Sequence, residues 1–314
     1  MHKTVIIIDE VHTIIPDSLT ESGFSIIDGT KWNRTEIIAR VKNAIGLVIR
    51  SRIKIDKEIL DSGPNLKFIA RVGAGMESID TDYCNTKGVT CLNSPEGNRD
   101  AVGEHAIGML LNLLNNLNCA DKQVKSGKWN RESNRGFELS YKTIGIIGYG
   151  NMGSSFAKKL SVFVCNVISY DKYKTNYSDN YTKEVSLKEL MNQADVISLH
   201  VPLTEETKFM INQDFIKNMS KSFYLINTAR GPVVNTSSLV KAIESGKILG
   251  AALDVLEYEE TSFEATKNLL DIDDFKSLSN FDNVILSPHI AGWTYESKIK
   301  LAEVLVNKII NLKL

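Results

Sequence analysis

Hydrophobic and polar positions along this chain follow two rhythms that trade places repeatedly. Short β-branched runs at 5–9, 25–28, 47–50, 68–72 and 90–93 read as buried parallel strands. Between them, "TEIIARVKNA" and "DKEILDSG" carry apolar residues at helical spacing. That alternation predicts layers of helices on a parallel sheet. A long apolar helix is expected over 101–125. The polar stretch "SGKWNRESNRGFELSYK" that follows has no apolar period and reads as an exposed loop. A second series then begins, with strands expected at "TIGIIG", 167–171, 196–201, 224–229, 251–255 and 284–289. Helices are expected at "SLKELMNQA", "SSLVKAIESG" and 295–311. The fold class is therefore α/β, with two doubly wound parallel-sheet units in series.

Composition narrows the picture. The 314 residues suffice for two cores, and a formal net charge of -1 without a long basic block argues against a nucleic-acid partner. Cys84, Cys91, Cys119 and Cys165 show neither CxxC nor Cys/His spacing, which predicts no metal site and a reducing compartment. The apolar run near the N-terminus is too short for a signal segment, and "AIGMLLNLL" is interrupted by Asn112, so no membrane span is expected. A cytoplasmic protein acting on a small molecule is the reading.

Chemistry enters at the second series. Gly148, Gly150 and Gly153 form G-x-G-x-x-G between a strand and a helix. The first glycine permits the turn, the second lets backbone approach a pyrophosphate, and the third lets helix and strand pack closely. Asp171 ends the next strand, where a carboxylate accepts the ribose hydroxyls of NAD and repels the extra phosphate of NADP. Lys172 and Lys174 close behind keep NADP open as the lesser alternative. Three more segments, "NTARG", "ALDVLEYEE" and "LSPHIAGWT", follow strand ends of the same series. They carry Arg230, a fork for a carboxylate or carbonyl oxygen, Glu259, and His289, an acid/base suited to neutral pH. Taken singly, each has a plainer reading as a capping charge, a solvated acid or a core histidine. Their joint placement makes them a candidate site. His105 beside Glu104 and His200 are assigned to packing and hydrogen bonding, and Trp293 to a substrate pocket or a core.

Together with "HVPLTEET", "GAALDV", "ARVGAGMESID" and "NSPEGNRDAVGEHAIGMLL", these motifs resemble the D-isomer-specific 2-hydroxyacid dehydrogenase family over nearly the whole chain. The resemblance implies a Rossmann NAD-binding domain (98–288) inserted in a flavodoxin-like substrate domain (1–97 plus 289–314). A hinge near 95–97 and 288–289 and a homodimer through the NAD-binding domain also follow from it. It makes Arg230, Glu259 and His289 the catalytic set. It also implies NAD contacts from Gly148, Gly150, Asn151, Met152, Gly153, Asp171, Thr228, Ala229, Arg230, Asp254, His289 and Gly292. Substrate contacts are expected from Gly73, Ala74, Gly75, Asn98, Arg230 and His289. Arg50, Ser51 and Arg52 resemble the "RSR" of D-3-phosphoglycerate dehydrogenases, where a guanidinium pair suits a phosphate. Oxidation of D-3-phosphoglycerate in serine biosynthesis is thus the first expectation, without the regulatory domain many such enzymes carry. A glyoxylate/hydroxypyruvate or D-lactate type reductase comes second, and a non-enzymatic NAD-sensing corepressor third. Two departures stand out. Glu260 replaces the proline that often follows the catalytic glutamate, and 261–282 is longer than usual and looks helical and acidic. Glu257 and Glu260 are fallback candidates for the glutamate.

Overall fold

The computed structural model describes residues 3–259 and 268–314. Two units divide the described residues, one of 3–98 with 293–314, the other of 99–259 with 268–292. The second crossing falls at 292–293, after 289–291, whose N–H groups donate to the carbonyl and carboxylate of Asp254 in the second unit.

In the first unit, β1 (Thr4–Ile7), β2 (Ser25–Asp28), β3 (Gly46–Ile49), β4 (Phe68–Arg71) and β5 (Thr90–Leu92) pair in parallel in the order β2-β1-β3-β4-β5. That is a flavodoxin-like order. Helices α1 (Ile14–Glu21), α2 (Arg34–Arg40), α3 (Lys57–Ser62) and α4 (Thr81–Thr86) make the connections. Continuous apolar runs arise because both sheet faces are covered. Val5, Ile7, Val48 and Phe68 pack with α1 and the closing helix Tyr295–Ile310, while Ile6, Ile8, Leu47 and Ile49 pack towards α2 and α3. The edge strands β2 and β5 correct the expectation of burial. Each has one neighbour, and Ile27 is 39% exposed.

In the second unit, α5 (Arg99–Leu114) and α6 (Leu117–Lys125) replace the single helix expected over 101–125. Asn116, at φ 53°, breaks it, and the Phe137 N–H takes over the Leu114 carbonyl. Strands β6 (Thr143–Ile147), β7 (Asn166–Tyr170), β8 (Lys183–Glu184), β9 (Val196–Leu199), β10 (Phe223–Asn227), β11 (Ile248–Leu253) and β12 (Val284–Leu286) form one parallel sheet. Its order, β12-β11-β10-β9-β6-β7-β8, is doubly wound about β6. The crossovers carry α7 (Asn151–Leu160), α8 (Leu187–Gln193), α9 (Gln213–Asn218), α10 (Thr236–Glu244) and α11 (Asp273–Asn280). Strand β8 has no signature in the sequence, since its two charged residues show no period. Of the segment expected to be helical and acidic, α11 is helical and buries Leu278, while Glu260 and 261–267 lie outside the described residues. Among the described residues no helix is long and apolar enough to cross a membrane.

One row of paired residues crosses this sheet: Tyr170, Ile147, Leu199, Asn227, Leu253 and Leu286. The residues just beyond it, including Asp171, Gly148, Thr228 and Asp254, therefore emerge at one level. His200 also leaves this row, with Nε2 2.9 Å from Ser198 Oγ and Nδ1 buried without a hydrogen-bond partner. Burial pushes its pKa down from 6.5 to about 3. The unfolded chain then takes up this proton first, so the stability tied to neutral His200 is present above pH 6.5 and lost as pH falls towards 3. Between pH 7 and pH 5 the loss is about 2 kcal/mol. Urea midpoints at the two pH values should show a smaller pH slope in His200→Gln than in the parent; equal slopes would refute the assignment.

Candidate active site

The glycine turn has the geometry its sequence suggested. Gly148 sits at φ 93°, and a Cβ there would lie 2.5 Å from the His200 carbonyl oxygen. A Cβ on Gly153 would lie 2.1 Å from the Gly148 oxygen, so α7 packs hard against the turn. Gly150 is the opposite case, with open space where its side chain would be. No side chain caps α7, so its first turn, Asn151, Met152 and Gly153, offers N–H groups and the positive end of the helix dipole to a phosphate. Asp171 takes the Tyr149 N–H on Oδ2 at 2.9 Å and the Tyr173 N–H on Oδ1 at 3.0 Å, which fixes the carboxylate beside the turn. Across the sheet, Thr228 Oγ1 is buried without a hydrogen-bond partner. An open cradle over Gly150 and an orphaned hydroxyl are features that a bound dinucleotide would complete.

Chemistry gathers after β10, β11 and β12. Asn227 stitches the first of these turns, accepting from the Ala229 N–H and donating to the Arg230 carbonyl, each at 3.0 Å. Arg230 donates from Nη1 to the Ala229 carbonyl at 2.6 Å. Gly231 permits the close approach that follows, since a Cβ there would lie 1.8 Å from the Leu256 oxygen. Leu256 in turn donates its N–H to Glu259 Oε1 at 2.6 Å, and Glu259 Oε2 meets His289 Nδ1 at 2.7 Å. The carboxylate is thus fixed at one oxygen and orients the imidazole with the other. Glu257, the fallback, spends its carboxylate on the Thr236 N–H at 2.8 Å. His289 adopts φ 55°, a left-handed conformation uncommon outside glycine.

What holds that turn is Asp254, 1% exposed. Its own carbonyl accepts the His289 N–H at 2.7 Å. Its Oδ1 accepts Ser287 Oγ–H and the Ile290 N–H, and Oδ2 accepts the Ala291 N–H at 2.8 Å. Expected as a cofactor contact, Asp254 here clamps 287–291. His105 completes the clamp, with Nε2 3.1 Å from Ser287 Oγ and 3.6 Å from Asp254 Oδ1. Packing and hydrogen bonding are what the sequence assigns to His105, but nothing in a spacing of 182 residues signals which partners it meets. Gly292 ends the turn, half-exposed.

The first unit carries the two arginines of the phosphate expectation. Arg52 points back to the end of β1, with Nε 3.1 Å from Asp9 Oδ1, Nη1 donating to the Trp32 carbonyl at 2.8 Å and Nη2 to the Ile8 carbonyl. Arg52 is thereby engaged at the end of β1. Arg50 differs: its guanidinium lies 4.7 Å from the Trp293 ring centre and has no carboxylate partner among the described residues. Burial pulls its pKa below the usual arginine range, against the pull of Asp9 and Glu10. Trp293 is 64% exposed, which removes the core reading. Ser51 is half-buried between the two arginines. The turn at Gly73, Ala74 and Gly75 is pinned by bonds from the Ser94 N–H and Asn93 Nδ2 to the Gly73 and Ala74 carbonyls. Asn98 Oδ1 is buried without a hydrogen-bond partner.

A family model described as "D-isomer specific 2-hydroxyacid dehydrogenase, NAD binding domain" matches residues 107–291. The chain is 34% identical over 298 residues to a D-3-phosphoglycerate dehydrogenase of Archaeoglobus fulgidus, covering 94% of this chain but 54% of that enzyme. It is 36% identical over 276 residues to a hydroxypyruvate reductase of Thermotoga maritima, covering 88% of this chain and 87% of the other. Among solved structures it superposes with a TM-score of 0.80 on D-lactate dehydrogenase of Aquifex aeolicus complexed with NAD and lactic acid. That match is at 32% identity, over 99% of this chain and 95% of the other.

Proposed function

This chain belongs to the D-isomer specific 2-hydroxyacid dehydrogenase family, and we propose that it interconverts a D-2-hydroxyacid and its 2-keto acid with NAD. The observation that carries the reading is the Glu259–His289 pair at 2.7 Å beside the Arg230 turn. The glycine turn, Asp171, Thr228 and Ala229 would hold NAD, which when bound would supply the hydride acceptor for oxidation or, reduced, the donor for the reverse. With Nδ1 engaged by Glu259, His289 exchanges the C2 hydroxyl proton through Nε2. Glu259 fixes the ring and stabilises the charge it gains with that proton. Arg230 binds the substrate carboxylate and counters charge on the C2 oxygen as it develops.

In the first unit, Arg50 supports D-3-phosphoglycerate as substrate, since a partly desolvated guanidinium with no carboxylate partner among the described residues suits a phosphate. The withdrawal of Arg52 favours the second reading, a smaller keto acid such as hydroxypyruvate or glyoxylate. The exposed Leu117, Val124, Trp129, Phe137 and Val162 of the second unit support a homodimer through that unit. Purified protein should form NADH from D-3-phosphoglycerate with a kcat/KM at least tenfold above that for D-lactate (~1.4 kcal/mol of discrimination). Hydroxypyruvate or glyoxylate as the best substrate would establish the second reading. NADH binding without turnover of any of them would refute the enzyme and leave a nucleotide sensor.

A further inference from the structure

The loop after β7 puts two ammonium groups, Lys172 and Lys174, next to the acid that reads the ribose. A 2′-phosphate, the group that distinguishes NADP from NAD, would be drawn to both. Both are already held. Lys174 Nζ donates to the Tyr149 carbonyl at 2.6 Å, inside the glycine turn. Lys172 Nζ lies 2.6 Å from Glu206 Oε1, and the Tyr173 hydroxyl donates to Glu206 Oε2 at 2.6 Å. One carboxylate on the loop after β9 therefore takes two partners from the loop after β7. These bonds hold the Glu206 carboxyl below the usual carboxylate range and raise the Lys172 ammonium above its own.

We propose that Glu206 is a coenzyme-specificity residue: by pairing with Lys172 it keeps that ammonium from the 2′-phosphate of NADP. The inference rests on Asp171 as the ribose acid. Asp171 alone repels the phosphate, yet a lysine at the very next position would offset that repulsion if it could turn towards the ligand. Glu206 removes the option. It does so at the surface, where the Lys172 and Glu206 side chains are 55% and 49% exposed, so replacing it leaves the core untouched.

Direct binding of NADPH and NADH, followed by nicotinamide fluorescence, tests this without any need for turnover. Glu206→Gln should tighten NADPH roughly tenfold, with a steeper salt dependence, because a unit charge is released beside a dianion. NADH should change far less. In Lys172→Met/Glu206→Gln the gain should vanish, since the cation responsible is gone. An NADPH Kd in Glu206→Gln within twofold of the parent would overturn the proposal, and so would a gain that survives in the double variant. Asp171→Ser separates the two layers. It should weaken NADH by roughly tenfold through lost ribose hydrogen bonds; an unchanged NADH Kd would overturn the ribose reading itself, whatever Glu206 does.

Discussion

His289→Asn should lower kcat by roughly 10²–10⁴-fold, the range that a positioned acid/base contributes, while NADH still binds. Asparagine is the informative substitution because the site sits at φ 55°. Asparagine tolerates that region, whereas alanine would add a backbone penalty of about 1 kcal/mol and blur the result. Its side chain also gives Glu259 Oε2 a polar partner in place of Nδ1, so that carboxylate is not abandoned. What asparagine cannot do is exchange a proton near neutral pH. Steady-state turnover in both directions, with NADH fluorescence as the binding control, measures the effect. A variant within tenfold of the parent would refute His289 as the acid/base.

The sequence made the two parallel sheets and the strand ends legible, because apolar runs and glycine turns are local signals. Glu259 was selected over Glu257 by its offset from Asp254, and the capping bond from Thr236 to Glu257 gives that choice a physical reason. Other features depend on distant partners. Arg50 and Arg52 look alike in sequence, yet the second is taken by Asp9 and the Ile8 carbonyl at the end of β1. The break at Asn116 depends on Phe137 reaching back to the Leu114 carbonyl. Side-chain direction after a strand is set by such acceptors, and no periodicity records it.

Asp254→Ala is the substitution expected to damage fold and site together. Its carboxylate, 1% exposed, satisfies Ser287 Oγ–H and the N–H groups of Ile290 and Ala291, and lies 3.6 Å from His105 Nε2. Alanine leaves those donors without their acceptor, at a cost of about 3–5 kcal/mol, a large share of a typical domain's stability. Asp254→Asn should cost less. One amide oxygen still accepts on the Oδ1 side, but an amide NH₂ would face the Ala291 N–H and cannot accept from it. In both variants the 287–291 turn loses part of what holds His289 left-handed, so kcat should fall by roughly 10²-fold, as for a small misplacement of a reacting group. The urea midpoint and kcat should therefore move together across the parent, Asn and Ala series. Were the midpoint of Asp254→Ala unchanged and its kcat within twofold of the parent, the clamp would have no part in placing His289.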